Sequence, residues 1–355
     1  MALNLLRHLP GLSPEHTFFV FTDTEDNLGF LKGLSNVRVV TIPLSWRYEI
    51  LIWEQIKLPL ILRRYEIDLL HGTKNSIPLL GRCKKICTIH DLAYYLFPET
   101  FTLAQRIHLK ISARIACLCT DKIIAVSKNT KKDIVRLLNA AESKVKVVYN
   151  GVDVKFFDKP EELVLKKVRA KFDLPEKFIL FVGTIQPRKN IETLIKAFLE
   201  FKKKDETDYH LVLAGRKGWL YDKIVKQIEQ SLHRDYIHFL GMVADEELLC
   251  LYHSASVCVY PSSYDGFGLV PLEAMAAGAP TITSNVSSLP EVVGDAAMKV
   301  SPDDWTSLAK AIESIVSDRK IRSKLKEMSV ERAKEFSWKR AAEETLMLYE
   351  EVLRV

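Results

Sequence analysis

The second half of the chain contains the segment Tyr264-Asp-Gly-Phe-Gly-Leu-Val-Pro-Leu-Glu-Ala-Met-Ala-Ala-Gly278, and the organisation of the rest can be worked out from it. A short apolar run, Val257-Cys-Val-Tyr-Pro261, comes just before it and predicts a buried strand. Two glycines, Gly266 and Gly268, then lead into an Ala- and Leu-rich helix. A strand, a glycine turn and a helix start bring backbone N–H groups and the positive end of a helix dipole to one point, which favours an anion.

Two carboxylates bracket this turn, Asp265 before the glycines and Glu273 about two helical turns into the following helix. A carboxylate repels a phosphate, so these side chains would bind hydroxyl groups such as those of a ribose and a sugar. The same residues also fit an ordinary strand-to-helix turn with a surface aspartate and a capped helix. The segment alone leaves both interpretations open.

Length and composition are those of a globular protein with two domains. The chain has 355 residues, 48% of them hydrophobic and 27% charged, which is enough for two separate cores. No apolar run reaches the roughly 18 residues of a membrane span, and the polar residues within Met1–His8 predict no signal peptide. The six cysteines lack the spacing of a zinc site and predict reduced thiols in a cytoplasmic protein.

The net charge of +6 is concentrated in the first half of the chain. Residues 1–150 hold 21 Lys and Arg against 13 Asp and Glu, whereas the remainder holds 30 against 32. An anionic membrane surface or an anionic acceptor would suit the basic half, and an ordinary solvated basic face explains the same numbers. The basic residues are dispersed and no nucleic-acid-binding motif occurs, so we expect no nucleic acid partner.

Short apolar strands alternate with helical stretches along the chain. Strands are predicted at Phe18–Thr22, Val37–Ile42, Leu69–His71, Ile86–Ile89, Lys122–Val126, Val145–Tyr149, Phe178–Val182, Tyr209–Leu213, Ile237–Leu240, Val257–Tyr260 and Pro280–Thr283. Helices are predicted at about 46–64, 102–119, 127–139, 160–172, 190–204, 219–232, 244–254 and 268–277, and from 303 to the end. Ser127 is placed to cap the helix that follows it.

This alternation predicts an α/β protein with two Rossmann-like, doubly wound parallel sheets and a linker near 151–160. Ligands bind such sheets at the carboxyl ends of the strands, so we expect the two domains to face a cleft that holds the site. A Rossmann domain normally opens with a strand and a glycine-bearing turn, but this chain begins with the helix-like stretch Leu3–Leu9. We therefore expect the opening strand and its turn to be missing.

The stretch Gly183-Thr-Ile-Gln-Pro-Arg-Lys-Asn190 follows the first strand of the second domain and opens a helix. It has neither the Gly-x-Gly-x-x-Gly nor the Walker A pattern of phosphate-binding turns. It offers Arg188 and Lys189 at a helix start, where the dipole already favours an anion. Such a pair would be most effective against a diphosphate leaving group, whose charge grows as the bond breaks. A solvated basic turn is the alternative.

His90 and Asp91 follow a predicted strand of the first domain, at the edge where such sheets bind ligands. Asp91 either orients the imidazole of His90 or caps the next segment. His71 also ends a strand and is a weaker candidate. No Asp-x-Asp motif lies near a strand end and no His/Cys cluster occurs, so we expect no metal.

Taken together, these motifs resemble the retaining glycosyltransferases of family 4, which have the two-domain GT-B fold. The matching blocks occur in the family's order and cover nearly the whole chain: Thr88–Leu92 with Phe97–Glu99, Ala125–Lys128, Tyr149–Asp153, Val182–Asn190, Phe239–Gly241, Pro261–Gly278 and Ser287–Ala296.

The resemblance implies a role for each of these positions. Glu273 would bind the ribose of a nucleotide-sugar donor. Asp265 and the backbone of Gly266, Phe267, Gly268 and Leu269 would bind the donor sugar. Arg188 and Lys189 would bind the diphosphate, and His90 would act beside the reacting sugar. The segment of Gly241, Met242 and Val243 would face the base.

The resemblance also implies how the domains are divided. The last helix would return to the first domain, so residues 1–157 with 338–355 would form the N-terminal, acceptor-side domain. Residues 158–337 would form the C-terminal, donor-binding domain.

Two departures from the family's pattern bear on activity. The family usually has Glu where this chain has Asp265, so its E-x7-E pattern is D-x7-E here. The opening strand and glycine-rich turn that help close the family's site over the phosphates are expected to be missing. A catalytically inert nucleotide-sugar-binding fragment or subunit is therefore one alternative to an active enzyme.

The leading hypothesis is transfer of a glycosyl group from a nucleotide-diphosphate sugar to an acceptor hydroxyl, with retention at the anomeric carbon. A GT-B-like nucleotide-sugar epimerase is a further alternative, but it needs acidic groups around the anomeric carbon, and the first domain offers only Asp91 and Glu99.

The form of the 183–190 turn resembles that of mannosyltransferases of polysaccharide assembly, which favours mannose as the sugar, and the basic first domain would suit a lipid-linked acceptor. A GDP- or UDP-sugar is expected as donor substrate, with GDP-mannose preferred, and no cofactor. The acceptor would be a glycan or a lipid-linked glycan. The protein would be cytoplasmic, with peripheral contact to the inner membrane face through its basic first domain.

Overall fold

The chain divides into two compact units in the computed structural model, which describes residues 1–24, 26–42, 53–204, 208–218, 221–229 and 233–354. The first unit comprises Met1–Gly151 and Phe336–Val355, and the second comprises Val152–Glu335. The first unit is therefore assembled from two separate parts of the sequence, whereas the second is continuous.

Every strand of the described chain lies in a parallel sheet. The strands are β1 Phe18–Thr22, β2 Val37–Thr41, β3 Leu69–Gly72, β4 Lys84–Ile89, β5 Lys122–Ala125, β6 Val145–Val147, β7 Lys177–Val182, β8 Tyr209–Ala214, β9 Ile237–Gly241, β10 Val257–Tyr260, β11 Thr281–Ser284 and β12 Met298–Val300. The sheet orders are β1-β2, β3-β4-β5-β6 and β12-β11-β10-β7-β8-β9.

The α-helices lie between the strands and at the two ends of the described chain. They are α1 Ala2–Leu6, α2 Leu9–Leu12, α3 Leu58–Arg64, α4 Ala93–Leu96, α5 Leu103–Cys119, α6 Lys128–Leu138, α7 Glu162–Lys171, α8 Ile191–Lys204, α9 Tyr221–Glu229, α10 Asp245–Ser254, α11 Leu269–Ala276, α12 Leu289–Val293, α13 Trp305–Ser317, α14 Arg319–Lys334 and α15 Trp338–Leu353.

In the first unit the strands form two separate sheets. Strands β1 and β2 pair with each other, and β3 to β6 form a four-stranded sheet whose middle strands are almost completely buried. Among the described residues no ladder joins the two sheets. Helix α15 packs in this unit. Gly151 lies so close to its start that a Cβ on Gly151 would sit 2.1 Å from the Trp338 nitrogen.

The second unit has one continuous six-stranded sheet with β7 and β10 at its centre. The apolar run of β7 is buried from Phe178 to Val182, as expected for a central parallel strand covered on both faces. Helices α8 and α13 pack on the sheet with fully buried side chains such as Leu194, Phe198 and Ile312. This core fixes the carboxyl ends of the strands, where the candidate site lies.

The predicted fold class is confirmed, and each predicted strand is present within two residues of its predicted ends. Ser127 caps α6 as predicted, since its Oγ accepts a hydrogen bond from the Thr130 nitrogen at 2.9 Å. Parts of two predicted helices, 46–52 and 219–220 with 230–232, lie outside the described residues. The helical region after 303 is divided by short breaks into α13, α14 and α15.

Candidate functional site

Three neighbouring strands of the second unit end in glycines with positive φ. Gly183 (φ +142°), Gly215 (φ +148°) and Gly241 (φ +71°) follow or close β7, β8 and β9. Their backbones are linked, because Gly183 N–H donates to the Ala214 carbonyl at 2.9 Å and Gly215 N–H donates to the Gly241 carbonyl at 2.7 Å. A Cβ on Gly215 would lie 1.9 Å from the Gly183 carbonyl oxygen. This edge is thus built from bare backbone, which a ligand can approach closely.

The turn after β7 brings its two cations to the segment after β10. Residues Pro187–Lys189 form one 3₁₀ turn that ends at Asn190 in the left-handed conformation. The Arg188 guanidinium donates from Nη1 to the Tyr264 carbonyl at 2.6 Å, and the Arg188 carbonyl accepts the Ser263 N–H at 2.9 Å. Two stretches about 76 positions apart in the sequence are therefore held side by side.

Lys189 and Asp265 form a nearly buried ion pair. The Lys189 Nζ lies 2.6 Å from Asp265 Oδ2, with the two side chains 10% and 19% exposed. Tyr260, the last residue of β10, donates its hydroxyl to the same carboxylate oxygen at 2.5 Å and accepts a hydrogen bond from Lys189. Burial alone would raise the pKa of Asp265, but Lys189, Arg188 and the hydroxyl of Tyr260 together hold it below its ordinary value. The carboxylate is therefore ionised at neutral pH.

The turn that carries Asp265 is fastened by two serines. The Ser287 and Ser288 hydroxyls donate to the Asp265 carbonyl at 2.5 and 2.7 Å, and the Asp265 N–H donates back to Ser287 Oγ at 3.0 Å. Ser287 itself has a positive φ of 62°. The position of the carboxylate is thus set by its own backbone as well as by its ion pair.

The glycine turn then leads into α11. Gly266, Phe267 and Gly268 are buried. The helix begins at Leu269, which is partly buried. Gly268 is the N-cap residue with φ +102°, and a Cβ there would lie 2.8 Å from a methyl carbon of Leu289. The positive φ favours glycine at this position, and a Cβ would also require the Leu289 side chain to shift.

Glu273 lies on α11 and has an unusual protonation equilibrium. Its Oε2 accepts a hydrogen bond from the Tyr252 hydroxyl at 3.2 Å. Burial raises the pKa of Glu273 to about 7, partly offset by the hydrogen bond from Tyr252. The carboxyl group therefore changes charge within the physiological range of pH.

The remaining predicted donor-binding residues lie at the end of β9. Gly241 closes the strand, Met242 is 77% exposed and Val243 is partly buried. An exposed Met beside a bare glycine is available to a flat apolar ligand.

His90 belongs to the first unit, directly after β4. The backbone N–H of His90 donates to Asn75 Oδ1 at 2.8 Å, and the ring Nε2 lies 2.8 Å from the Thr73 carbonyl oxygen. A carbonyl only accepts, so Nε2 carries the proton and Nδ1 is the acceptor. Burial lowers the pKa of His90 more than the contact with Thr73 and the charge of Asp91 raise it. The ring is neutral at neutral pH.

The two other sequence candidates of the first unit have structural partners. Asp91 Oδ1 accepts the Ala93 N–H at 2.9 Å, so it caps the short helix α4. His71 contacts the Tyr349 hydroxyl at 2.6 Å and Thr88 Oγ1 at 2.7 Å. Burial lowers the pKa of His71 to about 4, so this histidine is a neutral link between the sheet and α15.

Sequence reasoning missed Tyr260, Tyr252 and the two serines. Tyr260 was assigned only to a buried strand, yet its hydroxyl completes the Lys189–Asp265 pair. A buried Tyr at the last position of a central strand is a usable signal, because its hydroxyl needs a partner. Across the described ranges, no group of three or more His, Cys, Asp or Glu could hold a metal ion.

Both halves of the chain are similar to known proteins. Residues 1–156 match the family model described as Glycosyltransferase Family 4, and residues 165–332 match that described as Glycosyl transferases group 1. The O-antigen chain mannosyltransferase B of Escherichia coli is 32% identical over 81% of this chain and 75% of its own length. The chain belongs to the family 4 glycosyltransferases.

Two further relatives of this glycosyltransferase carry related names. The O-antigen chain mannosyltransferase RfbU of Salmonella typhimurium is 30% identical over 77% of this chain and 72% of its own length. The Escherichia coli serotype-specific mannosyltransferase WbdA is 31% identical over 73% of this chain, which spans only 32% of that relative.

Solved structures share the GT-B fold with this glycosyltransferase. Sucrose-phosphate synthase from Thermosynechococcus elongatus superposes with a TM-score of 0.76 over 98% of this chain and 92% of its own, at 22% identity. Anabaena HepE in complex with UDP and glucose superposes with a TM-score of 0.76 over 99% of this chain and 95% of its own, at 18% identity. The glycosyltransferase WaaG superposes with a TM-score of 0.73 over 96% of this chain and 94% of its own, at 15% identity. None of the described helices has the length and apolarity of a membrane span.

Proposed function

We propose that this glycosyltransferase transfers mannose from GDP-mannose to a hydroxyl group of a lipid-linked glycan, with retention at the anomeric carbon, during polysaccharide assembly. The proposal for the sugar is supported by the relatives named as O-antigen mannosyltransferases, each at least 30% identical over more than two thirds of both chains. A cytoplasmic enzyme at the inner membrane face would meet such an acceptor. A UDP-sugar is the competing donor.

The observation that carries the proposal is the Lys189–Asp265 ion pair at the glycine-lined edge of the second unit. Two cations beside a stretch of backbone without side chains suit a diphosphate, and a carboxylate held in place suits sugar hydroxyls. We assign Arg188 and Lys189 to the diphosphate, and Asp265 with the Gly266–Leu269 turn to the donor sugar. Residues 158–337 would then be the donor-binding domain.

Glu273 and the end of β9 complete the proposed donor site. An ionised carboxylate accepts the hydrogen bonds of two ribose hydroxyls, so the ionised form of Glu273 is the binding form. Gly241, Met242 and Val243 would contact the base. Because the pKa of Glu273 is about 7, donor affinity should rise with pH across neutrality.

The chemistry requires stabilisation of a departing diphosphate rather than a protein nucleophile. The two cations and the backbone dipoles of the 183–190 turn would bear the charge that develops on the leaving oxygen. If the acceptor attacks from the face that the diphosphate leaves, the phosphate oxygen can take its proton. His90, on the acceptor-side domain of residues 1–157 with 338–355, is proposed to act on the donor sugar as a neutral imidazole.

Product analysis tests the proposal directly. Purified protein is incubated with GDP-mannose, UDP-glucose or UDP-N-acetylglucosamine and a lipid-linked or synthetic glycan acceptor, and the product is examined by mass spectrometry and proton NMR. We expect a mass increase of one hexose with GDP-mannose only, and a one-bond C1–H1 coupling at the new anomeric centre that matches the configuration of the donor. A product of inverted configuration would contradict retention, and transfer from a UDP-sugar alone would contradict the donor.

A parallel incubation without acceptor separates the alternatives. An epimerase would convert its nucleotide sugar unaided, whereas a transferase would leave it nearly intact. An inert binding subunit would bind GDP or UDP in a calorimetric titration and give no product with any acceptor.

A further inference from the structure

Helix α5 of the first unit exposes apolar side chains along its outer side. Leu103, Ile107, Ile111 and Leu118 are each between 50% and 80% exposed, and the helical repeat places them within an arc of about 80°. The inner side of the same helix is already in the core, where Ala116 is fully buried. A surface helix normally presents polar side chains to water, so α5 has a second apolar face.

The charges on α5 are all of one sign. Arg106, Lys110 and Arg114 follow the apolar stripe at four-residue intervals, and the helix contains no Asp or Glu. Lys110 lies with its ammonium 4.6 Å from the centre of the Tyr95 ring. Long basic side chains beside an apolar stripe can extend their charges to anionic headgroups while their stems stay against apolar surface.

The loop before β4 adds two more exposed apolar side chains, and it is firmly held. Leu79 and Leu80 are 54% and 65% exposed. The buried ammonium of Lys85 donates to the carbonyls of Pro78, Leu79 and Leu80 at 3.1, 3.1 and 3.2 Å. Because the backbone oxygens are drawn inward, the two leucine side chains are presented to the outside.

A third segment lies against this loop. Gln55 donates to the Ile77 carbonyl at 3.2 Å and accepts the Leu79 N–H at 2.9 Å. The next residue, Ile56, and Leu60, four positions further on, are more than 60% exposed. Ile77 in turn packs with Ala116 of α5. The three segments are therefore neighbours within one unit.

We propose that residues 53–64, the loop 77–80 and α5 form a docking face for a bilayer that carries anionic lipids. Insertion of the apolar side chains at the headgroup boundary and attraction of the cations by the lipid charge would act together. The second unit offers no such cluster among its described residues, where the exposed large apolar side chains, Val154, Leu163, Met242 and Trp305, are spread along the sequence.

A symmetric contact with a second copy of the chain is the less favoured occupant. It would bring Arg106, Lys110 and Arg114 of each copy against the same cations of the other, since a two-fold interface pairs a surface with itself. The docking face needs no particular donor sugar, so it stands or falls separately from the proposed function.

Vesicle flotation without nucleotide or acceptor tests the docking face. Intact protein is mixed with vesicles of phosphatidylcholine, with and without about one third phosphatidylglycerol. We expect flotation with the anionic vesicles, and at least about a tenfold weaker partition for the double variant Ile107→Asn with Ile111→Asn. Arg106→Gln with Arg114→Gln should weaken binding to anionic vesicles only and reduce its dependence on salt.

The matched control is Leu163→Asn on α7, an exposed leucine that lies beside Lys166 and Lys167 in the second unit. It should float like the unmodified protein. Circular dichroism and donor turnover with a water-soluble acceptor show whether each variant remains folded and active. The inference is overturned if the unmodified protein does not float, if Ile107→Asn with Ile111→Asn floats equally well, or if those changes only abolish self-association in analytical ultracentrifugation.

Discussion

The carboxyl ends of the two main parallel sheets carry different chemistry. In the second unit, strands end in glycines, and the adjoining turns carry Arg188 and the Lys189–Asp265 pair. In the first unit, β3 and β4 lead to His71 and His90, two neutral imidazoles held by hydroxyl and carbonyl oxygens. The edge of the second unit therefore carries charged groups, whereas the two imidazoles of the first unit are neutral.

The largest expected effect concerns the glycine edge of the second unit. In Gly215→Ala the new Cβ would meet the Gly183 carbonyl at 1.9 Å, in a backbone conformation of φ +148°. Steric overlap and strain together should lower the free energy of unfolding by about 3–5 kcal/mol. Urea denaturation measures this. Gly29→Ala is the control, because a Cβ there meets nothing within 4 Å, and an equal loss in both variants would contradict the close-approach argument.

The next effect concerns Lys189, whose role in binding the diphosphate can be separated from its ion pair with Asp265. Lys189→Met should lower turnover by about 10²–10³-fold if the ammonium stabilises the departing diphosphate. The change also leaves Asp265 unpaired, which should reduce stability. In the double variant Lys189→Met with Asp265→Asn, stability should return and activity should not. Near-normal turnover in either variant would show that this edge does not carry the diphosphate.

A smaller effect is expected from Glu273, and it depends on pH. The pKa of about 7 lies above the ordinary 4.5, so the folded protein holds this proton more tightly than the unfolded chain does. Stability is favoured below about pH 4.5 and falls as pH rises through 7. Glu273→Gln should therefore raise the free energy of unfolding by about 1–3 kcal/mol at pH 8 and change it little at pH 5.

Donor binding should respond to Glu273→Gln in the opposite direction. Calorimetric titration with GDP should show weaker binding by the variant at pH 8, because the amide cannot accept both ribose hydroxyls. Unchanged affinity at pH 8 would remove Glu273 from the donor site while leaving the stability prediction intact.

The smallest effect belongs to the neutral edge of the first unit. Tyr349→Phe removes the hydroxyl that contacts His71 at 2.6 Å and should cost about 1–2 kcal/mol of unfolding free energy. The pKa of His71 is lowered to about 4, so its neutral form stabilises the fold above pH 6.5 and that contribution is lost as pH falls toward 4. Thermal melting across pH 4–8 should show both proteins losing stability in acid, with Tyr349→Phe melting below the unmodified protein at neutral pH.

The sequence predicted the fold well, because buried parallel strands leave runs such as Phe178–Val182 that are hard to mistake. It also identified Ser127 as a cap, since capping chemistry is local. The strand Met298–Val300 was missed, because three residues with one exposed lysine show no periodicity. The separation of β1 and β2 from the other strands of the first unit was missed too, because a strand's sequence does not name its neighbour.

The candidate site could be predicted in its parts but not in its pairings. Asp265 and Lys189 were each named from their own turns, yet their ion pair joins positions 76 residues apart and exists only once the sheet is formed. The two roles weighed for Asp91 were equally compatible with the sequence. In the structure the Asp91 carboxylate accepts a hydrogen bond from the Ala93 nitrogen at the start of α4, and its charge also acts on His90.

The division of the first unit between Met1–Gly151 and Phe336–Val355 has a consequence for synthesis on the ribosome. The first unit is begun first but cannot be completed until α15 has emerged, whereas the second unit is whole once residue 335 is free. The second unit could therefore fold before the first is complete. Until α15 emerges, the surface of the first unit that α15 covers would stay exposed. Chaperones that bind apolar surface on nascent chains would bind the first unit during this interval.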